Sequence, residues 1–216
     1  MERAEEIAAL GERARASLDD KHRAREVMIA ASRSAIQSSA ASIRATHRGE
    51  FDAAHRLAAE ALDRLGGADA AIACHPELVG HGPLHDAKKE LAEAWLTLAL
   101  VRGDELPPPE QLHVDPSSYL NGMAEAASEL RREVLDCLRA GRLDRAESLM
   151  GAMDDVYSVL VTVDYPDAVT GGLRRTTDAL RAVLERTRGD LTTTMVATRL
   201  QNAITTAGRQ IDEQES

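Results

Sequence analysis

The sequence predicts an all-α fold, an antiparallel bundle of about six or seven helices, on three observations. Aromatic residues are scarce: Phe51, Trp95, Tyr119, Tyr157 and Tyr165 are all that 216 residues hold, whereas sheets draw on aromatic and β-branched side chains. The helix formers Ala, Leu, Arg and Glu abound in their place. Apolar residues recur at helical spacing, and no stretch alternates as a half-buried strand does. Hydrophobic residues make up 44% of the chain, enough for a packed core, and a chain of this length buries roughly 70% of its unfolded surface. The expected organisation is a single helical domain over residues 1–210 with a frayed tail at 211–216.

The elements follow in order. Residues 2–47 read as one long helix, or two joined in line, with Ile7, Leu10, Ala14, Leu18, Ala24, Val27, Met28, Ala31 and Ala35 at helical spacing and His47-Arg48-Gly49 as an end signal. Residues 51–65 form a second helix, its apolar face built from Phe51, Ala54, Leu57, Ala58, Ala61, Leu62 and Leu65, with Gly66-Gly67 as its stop. A short helix around 68–73 gives way to a loop holding Pro76, Gly80, Gly82 and Pro83. A third helix covers about 84–102, is ended by Gly103, and is kept from continuing by Pro107-Pro108-Pro109. After Asp115-Pro116, Ser117 or Ser118 caps a fourth helix reaching about 139, with Gly141 as its stop. A fifth spans about 143–163. Beyond the turn Tyr165-Pro166-Asp167, a sixth covers about 168–188 and ends at Gly189, and 190–210 add another helical stretch around 196–204.

Composition excludes several function classes. The balance of 26 basic and 36 acidic residues, a net charge of −10, is the reverse of a broad phosphate-binding surface, and lysine is confined to Lys21, Lys88 and Lys89. Cys74 and Cys137, without a C-x-x-C, exclude a disulfide framework and a thiolate zinc site. No stretch approaches 18 apolar residues, and the start Met1-Glu2-Arg3-Ala4-Glu5-Glu6 lacks an apolar signal core, so a cytoplasmic protein with no membrane partner is expected. The phosphate-loop, dinucleotide-binding and nucleophile-elbow motifs are absent.

The informative charges are those that interrupt apolar runs. In 91–101, Leu-Ala-Glu-Ala-Trp-Leu-Thr-Leu-Ala-Leu-Val, Glu93 is the only charge, and Glu90 lies on the same helix face three residues before it. In 119–127, Tyr-Leu-Asn-Gly-Met-Ala-Glu-Ala-Ala, Glu125 is the only charge, and Glu129 follows one turn later. Two helices thus each present a pair of like charges at spacings that destabilise a helix. Brought together and buried, four carboxylates require protons or a divalent cation, and carboxylate oxygens are the ligands of Mg²⁺ and Mn²⁺. The alternative is that all four sit at the wet edges of amphipathic helices. Lys88 and Lys89 immediately precede Glu90; they are either surface lysines with buried stems or holders of a phosphate backbone beside the carboxylates. His75, His81, His85 and His113 gather in 68–116, and His81-x₃-His85 has a metal-like spacing, but Gly82-Pro83 interrupts any helix there.

The block Tyr119-Leu120-Asn121-Gly122-Met123-Ala124-Glu125-Ala126-Ala127-Ser128-Glu129-Leu130 resembles the Y-L-x-G-[VM]-A-[DE]-x-x-[SG]-E-L block of the translin/Trax family. His81…Glu90-Leu91-Ala92-Glu93-Ala94 is similar to that family's H-x₈-E-x-x-E-A helix, and Arg25, Ser32-Arg33, Ile43 and His47-Arg48-Gly49-Glu50 to its N-terminal helix; Tyr157 and Asp178-x-x-Arg181 fit more loosely. The resemblance covers about residues 20–190. It implies a fold of about seven helices, assembly into a closed shell-like homo-oligomer (hexamer or octamer), and binding of single-stranded RNA or DNA. Trax-type members are Mg²⁺-dependent endoribonucleases, and their acidic residues map onto Glu90, Glu93 and Glu125, with Glu129 adjacent as a fourth catalytic and metal-site residue. A translin-type chain carries an apolar residue at position 125; Glu stands here, one methylene longer than the usual Trax Asp. The resemblance therefore implies an Mg²⁺- or Mn²⁺-dependent endoribonuclease cleaving single-stranded RNA, with Lys88, Lys89 and His81 as nucleic-acid contacts. The alternative is a non-catalytic translin-like protein that binds single-stranded RNA or DNA.

Overall fold

In the computed structural model, which describes residues 2–79 and 82–214, the regular elements are helices and no strand occurs among the described residues. Six are long: α1 Glu2–His47, α2 Phe51–Ala71, α3 Pro83–Arg102, α5 Pro116–Arg139, α6 Leu143–Leu160 and α8 Leu173–Gln214. Two are single turns, α4 Pro109–Leu112 and α7 Asp167–Thr170, and a 3₁₀ turn, Pro76–Leu78, precedes α3. The all-α expectation holds, and α1 is one uninterrupted helix.

Two glycine stops fail. α2 runs through Gly66-Gly67 to Ala71, because Leu65 and Ala68 on either side are buried in one core cluster. α8 runs through Gly189, because Leu184, Thr187 and Leu191 carry its buried face across that point. An internal glycine costs about 1 kcal/mol relative to alanine, less than the burial of one such leucine contributes, about 1.5–3 kcal/mol. The break that does occur is at Gly171-Gly172, both with positive φ (61° and 85°), which separates α7 from α8. The fourth helix is capped by Asp115 rather than by a serine: its carboxylate accepts from the Ser117 and Ser118 amides at 3.1 and 3.0 Å. α8 continues to Gln214, so the expected tail is helical up to that residue; Glu215 and Ser216 lie outside the described residues.

α1, α2 and α3 pack on one another, α5 packs on α3, and α6 and α8 pack on α5. The first group encloses Met28, Ala35, Leu65, Leu91 and Leu96; the second encloses Leu130, Val134, Leu149, Met153 and Leu184. The α3–α5 seam is the one that matters for function. Gly122 makes it close: a Cβ there would stand 2.7 Å from the Lys89 carbonyl oxygen, 2.8 Å from Ala92 Cβ and 2.9 Å from the Glu93 nitrogen. Beyond the bundle, residues 2–20 of α1 and 201–210 of α8 are exposed on every side.

Candidate metal centre

The seam positions three of the four predicted carboxylates together. Glu90 and Glu93 project from α3, Glu125 from α5 one turn after Gly122, and each offers a carboxylate oxygen within 4.8 Å of the others. Helical spacing turns Glu90 and Glu93 to the same side, and the missing side chain at position 122 lets Glu125 reach them. Glu93 is the deepest, at 8% exposure. Burial, followed by the charges of Glu90, Glu125 and Glu129, pushes its carboxyl up to about 9. Glu90 is raised as well, by burial against the opposing pull of Lys89. The donor set consists of hard oxygens, and a buried carboxylate of this kind requires a proton or a cation. The cluster is therefore able to hold a metal ion, and Mg²⁺ or Mn²⁺ fits its donors better than a thiophilic metal does.

Lys89 belongs to the same group. Its ammonium donates to Glu125 Oε1 at 2.8 Å, stands 2.7 Å from Glu125 Oε2 and lies 3.5 Å from Glu90 Oε1. Burial pulls the ammonium down, but pairing with Glu125 and the charges of Glu90 and Glu93 outweigh it, so the net shift is upward.

The remaining predicted residues stand apart. Glu129 is outside the triad; its Oε2 lies 2.6 Å from His47 Nε2. The carboxylate accepts, so this nitrogen carries the proton. The His47 ring is 4% exposed, and its Nδ1 is buried without a partner among the described residues. Lys88 points elsewhere, paired at 2.9 Å with Asp69 of α2 and largely buried, because neighbouring positions on a helix diverge by about 100°. His81 lies outside the described residues. His85 meets Ser118 Oγ at 2.9 Å through Nδ1, near the α5 cap. There Asp115 is held at about 2: burial raises it, and the hydrogen bonds from Ser117 and Ser118 outweigh burial.

Sequence reasoning missed His47 as part of this region. It lies 82 positions from Glu129, and its only signal was the match of His47-Arg48-Gly49-Glu50 to the family pattern. The aromatic side chains are mostly spent on packing: Trp95 meets His55 edge-on at 5.0 Å, Phe51 lies under Arg102, and the buried Tyr119 donates its hydroxyl to the Pro107 carbonyl at 2.8 Å.

No protein-family model matches the chain. The chain is 32% identical over 182 residues to the uncharacterised protein MJ0175 of Methanocaldococcus jannaschii, a match covering 82% of this chain and 78% of that one. The crystal structure of AfC3PO aligns with a TM-score of 0.78 and 30% identity, over 86% of this chain and 97% of that one. The AfC3PO–duplex RNA complex aligns with a TM-score of 0.76 and 29% identity, over 86% and 96%. Apo-NeC3PO, at 17% identity, shares the fold with a TM-score of 0.75 over 85% and 96%. These structures are of the translin/Trax-type C3PO kind. Similar to them over most of its length, and carrying the Tyr119 to Leu130 block on the helix that completes the carboxylate cluster, the chain belongs to the translin/Trax family.

Proposed function

We propose that the protein is a metal-dependent endoribonuclease that acts on single-stranded RNA as a homo-oligomer in the cytoplasm, with residues 1–210 as one translin-like domain. The observation that carries this reading is the convergence of Glu90, Glu93 and Glu125, from two helices, within 4.8 Å. These three residues would hold Mg²⁺ or Mn²⁺. A divalent cation bound there supplies an activated water and charge stabilisation at the phosphorus. The chain's own groups do the rest. Glu93, buried, gives up its proton to bind. His47 holds Glu129 in one orientation one turn along α5, where its carboxylate can orient a water. Lys89 is the nearest cation for a phosphate oxygen. RNA as the ligand is supported by the AfC3PO–duplex RNA complex among the similar structures, and the experiment therefore takes both single-stranded and duplex RNA.

Labelled RNA of both kinds is incubated with Mg²⁺, with and without chelator, using wild type, Glu93→Ala and Glu125→Ala. The reading expects chelator-sensitive products from wild type and a loss of at least about 100-fold in each variant, the scale at which removal of an electrostatic catalytic group is felt. Equal cutting by all three proteins overturns the site. One observation favours the second reading, a translin-like binder of single-stranded RNA or DNA that does not cut: Lys89 already meets Glu125 with a full positive charge. That reading expects retention of RNA on a filter with no Mg²⁺-dependent product.

A further inference from the structure

We infer that Lys89 is the internal counter-cation of the carboxylate cluster, and that a divalent ion enters only by exchanging with its ammonium. This rests on the metal reading above and adds a regulatory element to it. The ammonium lies 2.8 and 2.7 Å from the two oxygens of Glu125 and 3.5 Å from Glu90 Oε1. It thereby covers both oxygens of one ligand and reaches a second. The ammonium therefore occupies the face between the two Glu125 oxygens, and a magnesium ion bonding those oxygens from that face at about 2.0–2.1 Å would meet both its bulk and its like charge. The four-carbon lysine stem allows the head to swing away while α3 stays in place. Cation uptake and release of Lys89 are then one event, and the released charge becomes available to a phosphate group beside the cluster. The other two lysines are committed elsewhere, Lys21 to Glu77 at 3.0 Å and Lys88 to Asp69 at 2.9 Å. Neither takes part in the exchange.

Two measurements on the full chain test this. The first is Mn²⁺ binding by calorimetry to wild type, Lys89→Met and Lys89→Arg. Loss of a unit charge about 3 Å from the ligand oxygens is expected to tighten Mn²⁺ binding by about tenfold or more and to enlarge the Mn²⁺-induced rise in melting temperature. Lys89→Arg, which clamps a carboxylate with two parallel hydrogen bonds, is expected to weaken it. Equal or weaker binding by Lys89→Met overturns the exchange while leaving the metal reading intact. Absence of Mn²⁺ binding by every protein overturns both. The second measurement needs no substitution. Reductive ¹³C-methylation keeps each lysine charged, and with three lysines in the chain each resonance can be followed. The Lys89 signal is expected to move as Mg²⁺ is added, with Lys21 and Lys88 unchanged. A Lys89 signal that stays fixed at a Mg²⁺ level giving the full melting-temperature rise overturns the inference.

Discussion

Among the described residues Glu93 carries the strongest electrostatic perturbation, and its sign sets a measurable pH dependence. Its carboxyl stands at about 9 in the folded protein against an ordinary 4.5, so the folded state holds that proton more tightly than the unfolded one. The corresponding stability is complete below about pH 4.5 and is lost as the pH rises through about 9. In chelator, the melting temperature is expected to fall between about pH 5 and pH 9, and Glu93→Gln, which keeps the shape without the charge, is expected to flatten that fall. Parallel profiles for the two proteins would remove Glu93 as the source. Added Mg²⁺ acts in the opposite direction, since it binds the ionised cluster: its stabilisation is expected to grow with pH in wild type.

At the level of elements, the decisive contact is α5 against α3 at Gly122. Replacement by alanine has two opposing effects. Helix propensity favours alanine by about 1 kcal/mol. The new Cβ, however, would stand 2.7–2.9 Å from a carbonyl oxygen, a Cβ and a backbone nitrogen of α3, none of which is the movable end of a side chain. Overpacking of this kind costs about 1–3 kcal/mol and wins. Gly122→Ala is expected to lower stability in chemical denaturation and, by pushing Glu125 away from Glu90 and Glu93, to weaken Mn²⁺ binding. A variant as stable and as metal-avid as wild type would show that the seam tolerates widening.

Across the whole molecule, the two projecting helix ends are the surface least explained by the fold of one chain. On α1, Ile7, Leu10 and Leu18 are 61%, 51% and 66% exposed; on α8, Val196, Leu200 and Ile204 are 59%, 60% and 64% exposed. Both sets recur at helical spacing. Local ion pairs such as Arg3–Glu6 and Arg23–Asp20 contribute only about 0.2–0.5 kcal/mol each, and an isolated helix of this length is marginal in water. A second copy of the chain is the occupant we assign to these stripes, in keeping with the homo-oligomer proposed above. Leu10→Lys combined with Leu200→Lys is expected to give a smaller species by light scattering with the helical content largely kept. An unchanged mass would overturn the assignment of these stripes to a second copy. The scarcity of exposed aromatics, with Tyr165 alone at 66%, favours backbone capture over base stacking for the RNA binding proposed above.

Helix formers, proline and glycine punctuation and the spacing of Leu and Ala were enough to determine the all-α class, the helical span of 2–47 and the approximate boundaries of α3 and α5, because those signals are local; that 2–47 is one helix rather than two in line came from the structure. Glu93 and Glu125 were also legible, as lone charges in apolar runs, and Glu90 by its position one helical turn before Glu93. Gly66-Gly67 and Gly189 were misread as stops, because burial of neighbours such as Leu65 and Leu191 outweighs the propensity cost of a glycine and burial is set by distant helices. The separation of Glu129 from the triad, its bond to His47, the turning of Lys88 toward Asp69 and of Lys89 into the cluster were decided by tertiary structure alone. Each depends on which helix faces which, and the nearness of residues 82 positions apart is a property of packing that no local pattern carries.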